Sequence, residues 1–334
     1  MRCPRALAVA LLFAVFASSS APVFAYLKLG LVVGDQVVPL KWKQTPIRYF
    51  VTDSGTSGLT STDLQAAVGR AFSSWHAVST ASIAYQFVGY TSALPGEDDG
   101  QSTLGFLDRP DLERVLASTS YLIDDVTGEL LESDIFFNAA FPWSVAANGE
   151  TGRFDLETIA LHEIGHLNGL GHSALGETAL ISGGRRVIAA QAVMFPIAFP
   201  PGTVFDRVLR ADDVAGVSDL YPSADFASKT GSLSGRVTKN GQGVYGAHVV
   251  AFNPATGALI AGFTLNNRGE FSIGGLSPGP HVVRVEPLDD ADIESFFDPD
   301  APVDLNFRVT FSDRLVVVPR GGDSGLVEVK VAPK

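Results

Sequence analysis

The sequence predicts an α+β domain followed by an antiparallel β-sandwich. Its 334 residues exceed the length of one ordinary domain. As far as Tyr221-Pro222, stretches with helical spacing of apolar residues alternate with strand-like stretches, and beyond it short β-type runs are separated by turns. The small, polar stretch Ser223–Ser232 lies between the two patterns. We therefore expect one domain over residues 26–225 and a second over residues 226–334.

The first 25 residues have the pattern of a signal peptide. Arg2 and Arg5 precede the apolar run Ala6–Ala17, and small residues form a cleavage site that ends at Ala25. The apolar run is shorter than the ~20 residues that a membrane-spanning helix needs. We expect a secreted protein, extracellular or periplasmic, with no membrane insertion after cleavage. An uncleaved membrane anchor is the alternative.

Charge and cysteine content exclude some classes of protein. Removal of the signal peptide takes away Arg2, Arg5 and the only cysteine, Cys3, so the formal net charge falls from −12 to −14 and no disulfide can form. An acidic surface repels phosphate backbones and anionic lipids. We expect a monomer that binds no nucleic acid.

The first domain combines helices and strands. Apolar residues recur at intervals of three and four from Thr60 to Val78, and Thr60 with Asp63 forms a capping box, so this segment is predicted to be a helix. By the same reasoning we expect further helices at Leu156–Asn168 and Ala211–Leu220, and strands at Ile47–Val51, Ile83–Gly89, Thr103–Leu107, Val115–Ile123 and Leu130–Asn138.

Two acidic turns, residues 95–100 and 124–128, leave a calcium site open. Carboxylate oxygens suit Ca²⁺, but neither turn has the spacing of a known calcium loop. Solvated turns are the favoured interpretation, and Ca²⁺ remains a possible ligand.

The second domain has strand patterns without helical spacing. Turns such as Asn240-Gly241 punctuate the runs and indicate an antiparallel sandwich. The predicted strands are Leu233–Lys239, Val244–Asn253, Leu259–Asn266, Glu270–Ile273, Val282–Val285, Leu305–Thr310, Leu315–Val318 and Leu326–Val331.

One short stretch of the sequence contains the candidate metal ligands and the candidate catalytic base. His162 and His166 lie one helical turn apart, so both imidazoles can bind one metal ion, and Glu163 beside them can take a proton from a metal-bound water. Gly169 can end the helix and let the chain return His172 to the metal. Three imidazoles leave the fourth zinc position open, as in catalytic sites. Surface histidines without a metal are the alternative.

These residues resemble the zinc motif of the metzincin proteases, and within them the matrixins. The residues around the motif also resemble this family over about residues 40–222. The matching segments are Phe154–Thr158, Ala192–Pro196 with a Met-turn methionine at Met194, Asp212–Val217 and Leu220-Tyr221.

The resemblance implies a zincin fold, with a mixed sheet and three helices, and a zinc endopeptidase with one catalytic Zn²⁺ acting on polypeptides. It implies that substrate lies along an edge strand near Leu116–Leu122 and that a side-chain pocket lies between Met194 and Leu209. Because Phe136 stands where the family has a histidine, we expect no structural zinc. The mature chain has no cysteine to hold it latent.

The second domain resembles the carboxypeptidase regulatory-like, transthyretin-like sandwich over about residues 231–290. Many proteins use this fold without chemistry of its own, so an inactive surface-binding or adhesion protein is the second hypothesis. Because the proposed metal ligands, base and methionine all precede Tyr221-Pro222, we expect a chain ending near Ser223 to fold and to cleave short peptides.

Overall fold

A computed structural model describes residues 27–33, 36–182 and 184–334. The predicted signal peptide, residues 1–25, lies outside the described residues. None of the described helices is long and apolar enough to cross a bilayer.

The first domain contains both helices and strands. Its strands are β1 Gly30–Val33, β2 Gln36–Pro39, β3 Ile47–Thr52, β4 Tyr85–Thr91, β5 Ser102–Leu107, β6 Ala117–Ile123, β7 Leu130–Asn138, β8 Trp143–Ser144, β9 Phe154–Asp155, β10 Gly176–Ile181 and β11 Gly184–Ala190. Its helices are α1 Ser61–His76, α2 Leu156–Leu167 and α3 Ala211–Leu220, and the short helix α4 Phe226–Lys229 follows before the first strand of the second domain.

A five-stranded mixed sheet forms the centre of the first domain. Its order is β4-β3-β5-β7-β6, and every neighbouring pair is parallel except β6 and β7, which are antiparallel. Strand β6 is therefore an edge strand. Helices α1 and α2 pack together, and the fully buried Trp75 of α1 donates its indole N–H to the carbonyl of Leu161 in α2, at 2.9 Å.

The ends of the helices follow from their caps. The predicted capping box is present, because the Thr60 hydroxyl accepts from the Asp63 amide and the Asp63 carboxylate accepts from the Thr60 amide. Asp155 caps α2 by accepting from the amide of Thr158 at 2.9 Å. These caps place the helix starts within one residue of the prediction.

The β10–β11 hairpin was not predicted. It pairs antiparallel between Gly176 and Ala190, in the segment that joins His172 to Met194. The turn dipeptide Ser182-Gly183, between the apolar runs Ala179–Ile181 and Val187–Ala190, is the signal in the sequence that could have revealed it.

The second domain is a two-sheet sandwich. Its strands are β12 Gly231–Lys239, β13 Gln242–Gly243, β14 His248–Phe252, β15 Leu259–Phe263, β16 Glu270–Leu276, β17 Gly279–Glu286, β18 Thr310–Phe311, β19 Val316–Val318 and β20 Asp323–Val331. One sheet joins β13, β12, β16 and β20, and the other joins β15, β14, β17, β18 and β19. All pairs are antiparallel except β12 with β20, which is parallel.

The predicted strand Leu305–Thr310 is wrong over most of its length, since only Thr310 pairs, in β18. The amide of Asn306 donates to the side chain of Asp304 at 2.9 Å. This local turn competes with strand pairing.

The two domains share a continuous core. Leu175 and Ala192 of the first domain pack with Val250 and Ala261 of the second in one buried cluster. The buried carboxylate of Asp212, at the start of α3, accepts a hydrogen bond from the amide of Ala261 at 2.8 Å. The second domain thus packs directly against the segment that follows His172.

Candidate metal centre

Helix α2 and the turn after it bring three histidines together. His162 and His166 lie one turn apart on α2, with ring centroids 4.8 Å apart. The helix ends at Leu167 and is followed by Gly169, whose φ of +94° favours glycine, and the amide of Leu170 closes the turn on the carbonyl of Gly165 at 3.0 Å. The chain then returns His172, and one nitrogen from each ring lies within 4.8 Å of the others.

Each ring is oriented by a backbone carbonyl. The Nδ1 atoms of His162, His166 and His172 lie 2.7, 2.8 and 2.7 Å from the carbonyl oxygens of Val193, Leu170 and Ser295. A carbonyl can only accept, so every Nδ1 carries the proton and every Nε2 presents a lone pair.

The facing lone pairs fit a zinc ion. The Nε2 atoms of His166 and His172 are 3.2 Å apart, and with both protons on Nδ1 neither can donate to the other. A cation between them relieves this repulsion. Three neutral imidazoles with their other nitrogen bonded to a carbonyl are the donor set and outer support that zinc uses.

Burial keeps these rings neutral. Withdrawal from water is the main cause that lowers the pKa of His162 to about 3 and the pKa values of His166 and His172 below their usual range. Mutual repulsion with His172 lowers the pKa values of His162 and His166 further. Neutral imidazole is the form that binds metal, so the site needs no proton release near pH 7.

Glu163 is buried beside the histidines, and within the described part of the chain its carboxyl group accepts a hydrogen bond from one side chain. The hydroxyl of Thr119, on edge strand β6, donates to Glu163 Oε2 at 2.7 Å. Burial raises the pKa of Glu163 to about 7, and the Thr119 hydrogen bond opposes this rise. A carboxyl group with a pKa near 7 can both accept and return a proton.

Met194 lies beneath the histidines. A methyl group added at Gly165, between His162 and His166 on α2, would overlap the Met194 sulfur. The buried carboxylate of Asp213 holds this turn by accepting from the amides of Val193 at 2.9 Å and Met194 at 3.2 Å. Since the Val193 carbonyl orients His162, Asp213 of α3 indirectly fixes one of the three rings.

A cleft of about 1680 Å³ runs past the three histidines and Glu163. Edge strand β6 lines one side of it, as the resemblance implied. The segment Phe195–Phe199 and Asp206 line another part, within the range where a side-chain pocket was expected. Ser295 and Phe296 of the second domain also line this cleft.

Comparison with known families identifies the first domain. A model of the matrixin family matches residues 41–222, more than half of the chain. The chain belongs to the matrixin family. A model of the carboxypeptidase regulatory-like domain matches residues 232–310. Both predicted resemblances are therefore confirmed, and with them the α+β fold followed by a β-rich domain.

Individual matrixins match at moderate identity. Metalloendoproteinase 1-MMP of Arabidopsis thaliana is 30% identical over 190 residues, which cover 54% of this chain and 44% of that protein. Karilysin of Tannerella forsythia is 28% identical, covering 58% of this chain and 36% of its own, and human matrix metalloproteinase-20 is 28% identical, covering 57% and 34%. The matches thus span less than half of each relative's length.

Among solved structures, the Bacillus anthracis TIE protein aligns with 31% of this chain and 17% of its own, at 17% identity and a TM-score of 0.19. A likeness of this size carries no argument about fold or function.

Sequence reasoning found the three histidines, Glu163 and Met194, which the structure brings to one place. It missed Thr119, Asp213 and Ser295 as supporting residues. Asp213 was noted only as part of a family segment, and Thr119 only as part of a strand. Nothing local in the sequence marks the carbonyl of Ser295, which lies 123 positions from His172.

The two acidic turns are held by hydrogen bonds, the first to strand β7 and the second within the turn itself. In the first, the amides of Gly96 and Gly100 donate to the carboxylates of Asp134 and Glu132, at 2.6 and 2.5 Å. In the second, the carboxylate of Asp124 accepts from the amide of Thr127 at 2.8 Å. Calcium binding and the absence of a structural zinc stay predictions.

Proposed function

We propose that this protein is a secreted, zinc-dependent endopeptidase. In this proposal His162, His166 and His172 hold one Zn²⁺, and Glu163 acts as general base and then general acid. The observation that carries it is the convergence of three carbonyl-oriented imidazoles beside a buried carboxyl group in an open cleft. Membership of the matrixin family supports the same reaction.

The chemistry divides between the metal and the chain. When bound, zinc supplies Lewis-acid polarisation of the scissile carbonyl and lowers the pKa of water in its site. Glu163 takes the proton of the attacking water and returns it to the departing amine. The hydrogen bond from Thr119 holds the Glu163 carboxyl group toward β6, the strand that lines the cleft. Burial raises the pKa of the Glu163 carboxyl group, which favours its accepting a proton.

Substrate polypeptide is proposed to bind as an added strand along β6. This strand is the free edge of the central sheet and lines the cleft beside Glu163. A substrate side chain would enter the part of the cleft lined by Phe195–Phe199, whose apolar character favours hydrophobic residues. Polypeptides are thus the proposed substrates, and the acidic protein is proposed to act as a monomer outside the cytoplasm.

The experiment compares Glu163→Ala with Glu328→Ala, which removes an exposed carboxylate in the second domain. Cleavage of a peptide library is mapped by mass spectrometry, and zinc content is measured by atomic absorption. We expect Glu163→Ala to keep one zinc and to lose at least ~10³-fold in turnover, within the 10² to 10⁴ that such proton transfer contributes. Glu328→Ala should match the wild type.

Two outcomes would contradict the proposal. Near wild-type cleavage by zinc-loaded Glu163→Ala removes Glu163 from the mechanism. A wild-type protein that holds zinc but cleaves no peptide favours the second hypothesis, a surface-binding or adhesion protein built on a protease-like domain.

A further inference from the structure

The first domain orients only two of the three histidine rings. His162 and His166 donate from Nδ1 to carbonyls of the first domain, Val193 and Leu170. His172 donates instead to the carbonyl of Ser295, in the second domain, at 2.7 Å. The third ring therefore takes its orientation from a different domain.

The backbone of His172 is nevertheless fixed by the first domain. On one side the amide of Gly171 donates to the carbonyl of Leu27 at 2.7 Å, and on the other the amide of Ser173 donates to the carbonyl of Met194 at 2.9 Å. The position of the His172 main chain is thus set locally. The second domain, through the Ser295 carbonyl, sets the direction of the His172 imidazole and keeps its proton on Nδ1.

The Ser295 carbonyl is held by packing inside the second domain. A short 3-10 turn, Ile293–Ser295, is closed by the amide of Phe296 on the carbonyl of Ile293 at 2.9 Å. Phe296 is only 3% exposed. Its ring packs on Phe263 of β15, at 5.6 Å between centroids, and meets His172 edge-on at 6.2 Å.

The same segment is also tied to the first domain beyond the metal centre. Asp290 accepts from the amide of Thr178, in the β10–β11 hairpin, at 2.8 Å. Arg185 of this hairpin donates to the carbonyl of Asp289 at 2.8 Å. We call residues 289–297 the bridging segment, because it joins the sandwich, the hairpin and His172.

We propose that the bridging segment is a positioning element of the metal centre, through which the second domain sets the zinc affinity of the first. This rests on the proposed function, since it takes His172 to be a zinc ligand. Loss of an outer partner of a zinc-bound histidine lowers metal affinity about 10- to 100-fold, because the ring loses its fixed orientation and part of its basicity. Phe296, which holds the Ser295 carbonyl in place, is the positioning residue.

If the bridging segment positions His172, a chain ending near Ser223 should bind zinc more weakly than the full chain, contrary to the expectation that its chemistry is unchanged. All three ligands, Glu163 and Met194 remain in such a chain. The carbonyl that orients His172 and the ring packed on it do not.

The test uses the full chain and three variants. Phe296→Ala removes the ring beside His172, and Phe296→Leu restores much of its apolar volume. Phe307→Ala is the matched control, because Phe307 is also fully buried in the second domain but belongs to a core cluster without Phe296 and does not line the cleft. Zinc dissociation constants of the metal-free proteins are measured by competition with a chromophoric chelator, and the visible spectrum of the Co²⁺-loaded proteins reports ligand geometry.

We expect Phe296→Ala to bind zinc about 10- to 100-fold more weakly than the wild type and to change the Co²⁺ spectrum. Phe296→Leu should recover most of the affinity, and Phe307→Ala should keep both affinity and spectrum even if it unfolds at a lower temperature. Equal zinc affinity and equal spectra for Phe296→Ala and the wild type would overturn the inference, as would an equal loss in Phe307→Ala. If the wild type itself binds no zinc, the proposed function fails and this inference with it.

Discussion

Gly165 offers the sharpest test of how the methionine turn packs under the histidines. It lies on α2 between His162 and His166, and a Cβ atom there would overlap the Met194 sulfur and lie 3.0 Å from the Trp75 ring. Met194 is 3% exposed, and its amide is held by Asp213 at 3.2 Å, so the sulfur has little room to move. We expect Gly165→Ala to destabilise the first domain.

The expected size follows from two opposing effects. Overpacking a well-filled core lowers the free energy of unfolding by about 1 to 3 kcal/mol. We take the upper value, about 3 kcal/mol, because the sulfur that the new methyl group overlaps has little room to move. Alanine in a helix gains about 1 kcal/mol over glycine. The net loss is therefore about 2 kcal/mol for Gly165→Ala. Gly69, on α1, is the matched control, since its added Cβ would meet only the end of Gln65 at 3.4 Å, and Gly69→Ala should gain up to about 1 kcal/mol.

Tryptophan fluorescence can follow this domain by itself. The three tryptophans of the chain, Trp42, Trp75 and Trp143, all lie in the first domain. At about 2 to 4 °C per kcal/mol, the midpoint should fall by about 4 to 8 °C in Gly165→Ala and rise by about 2 to 4 °C in Gly69→Ala. Adding Met194→Ala to Gly165→Ala should cost less than the sum of the two single changes. If Gly165→Ala raises the midpoint as Gly69→Ala does, the packing described here is wrong.

Three further predictions address the site. His172→Ala should bind zinc weakly and lose peptide cleavage, since two imidazoles do not make a three-ligand site; metal analysis that finds one tight zinc with cleavage intact refutes this. Thr119→Val removes the hydroxyl that donates to Glu163, so kcat should fall about 10- to 100-fold while zinc content stays unchanged. Thr119→Ser keeps a hydroxyl and should retain most of the wild-type kcat. Equal kcat values for the wild type and both variants would exclude a role for Thr119 in catalysis. Thiol reagents should leave the activity of the protein without residues 1–25 unchanged, because Cys3 is the only cysteine; activation by an organomercurial would contradict this.

The helices of the first domain could be predicted because their signals are local. Thr60 and Asp63 mark the start of α1, and the bounds of α3 and β7 match the prediction. The clustering of the three histidines could be predicted for the same reason, since histidines at these positions within eleven residues have a spacing that a helix and a glycine turn bring to one place.

What could not be predicted depends on contacts between distant segments. The hydroxyl of Thr119 supports Glu163 only because β6 runs past α2, and a threonine in a strand gives no sign of this. The parallel pairing of β12 with β20 joins the first and last strands of the sandwich, which strand patterns do not specify. The bond from His172 to Ser295 uses a backbone carbonyl, and every residue has one.

The proposal on which the chemistry depends is that three imidazoles hold one catalytic zinc ion. Its most direct test is a crystal structure of the zinc-loaded full chain, with anomalous scattering recorded on both sides of the zinc absorption edge. We expect one strong peak about 2.0 to 2.1 Å from the Nε2 atoms of His162, His166 and His172, with each Nδ1 still bonded to its carbonyl. A peak bound by other residues, or no peak at these histidines in protein that cleaves peptides, would contradict it.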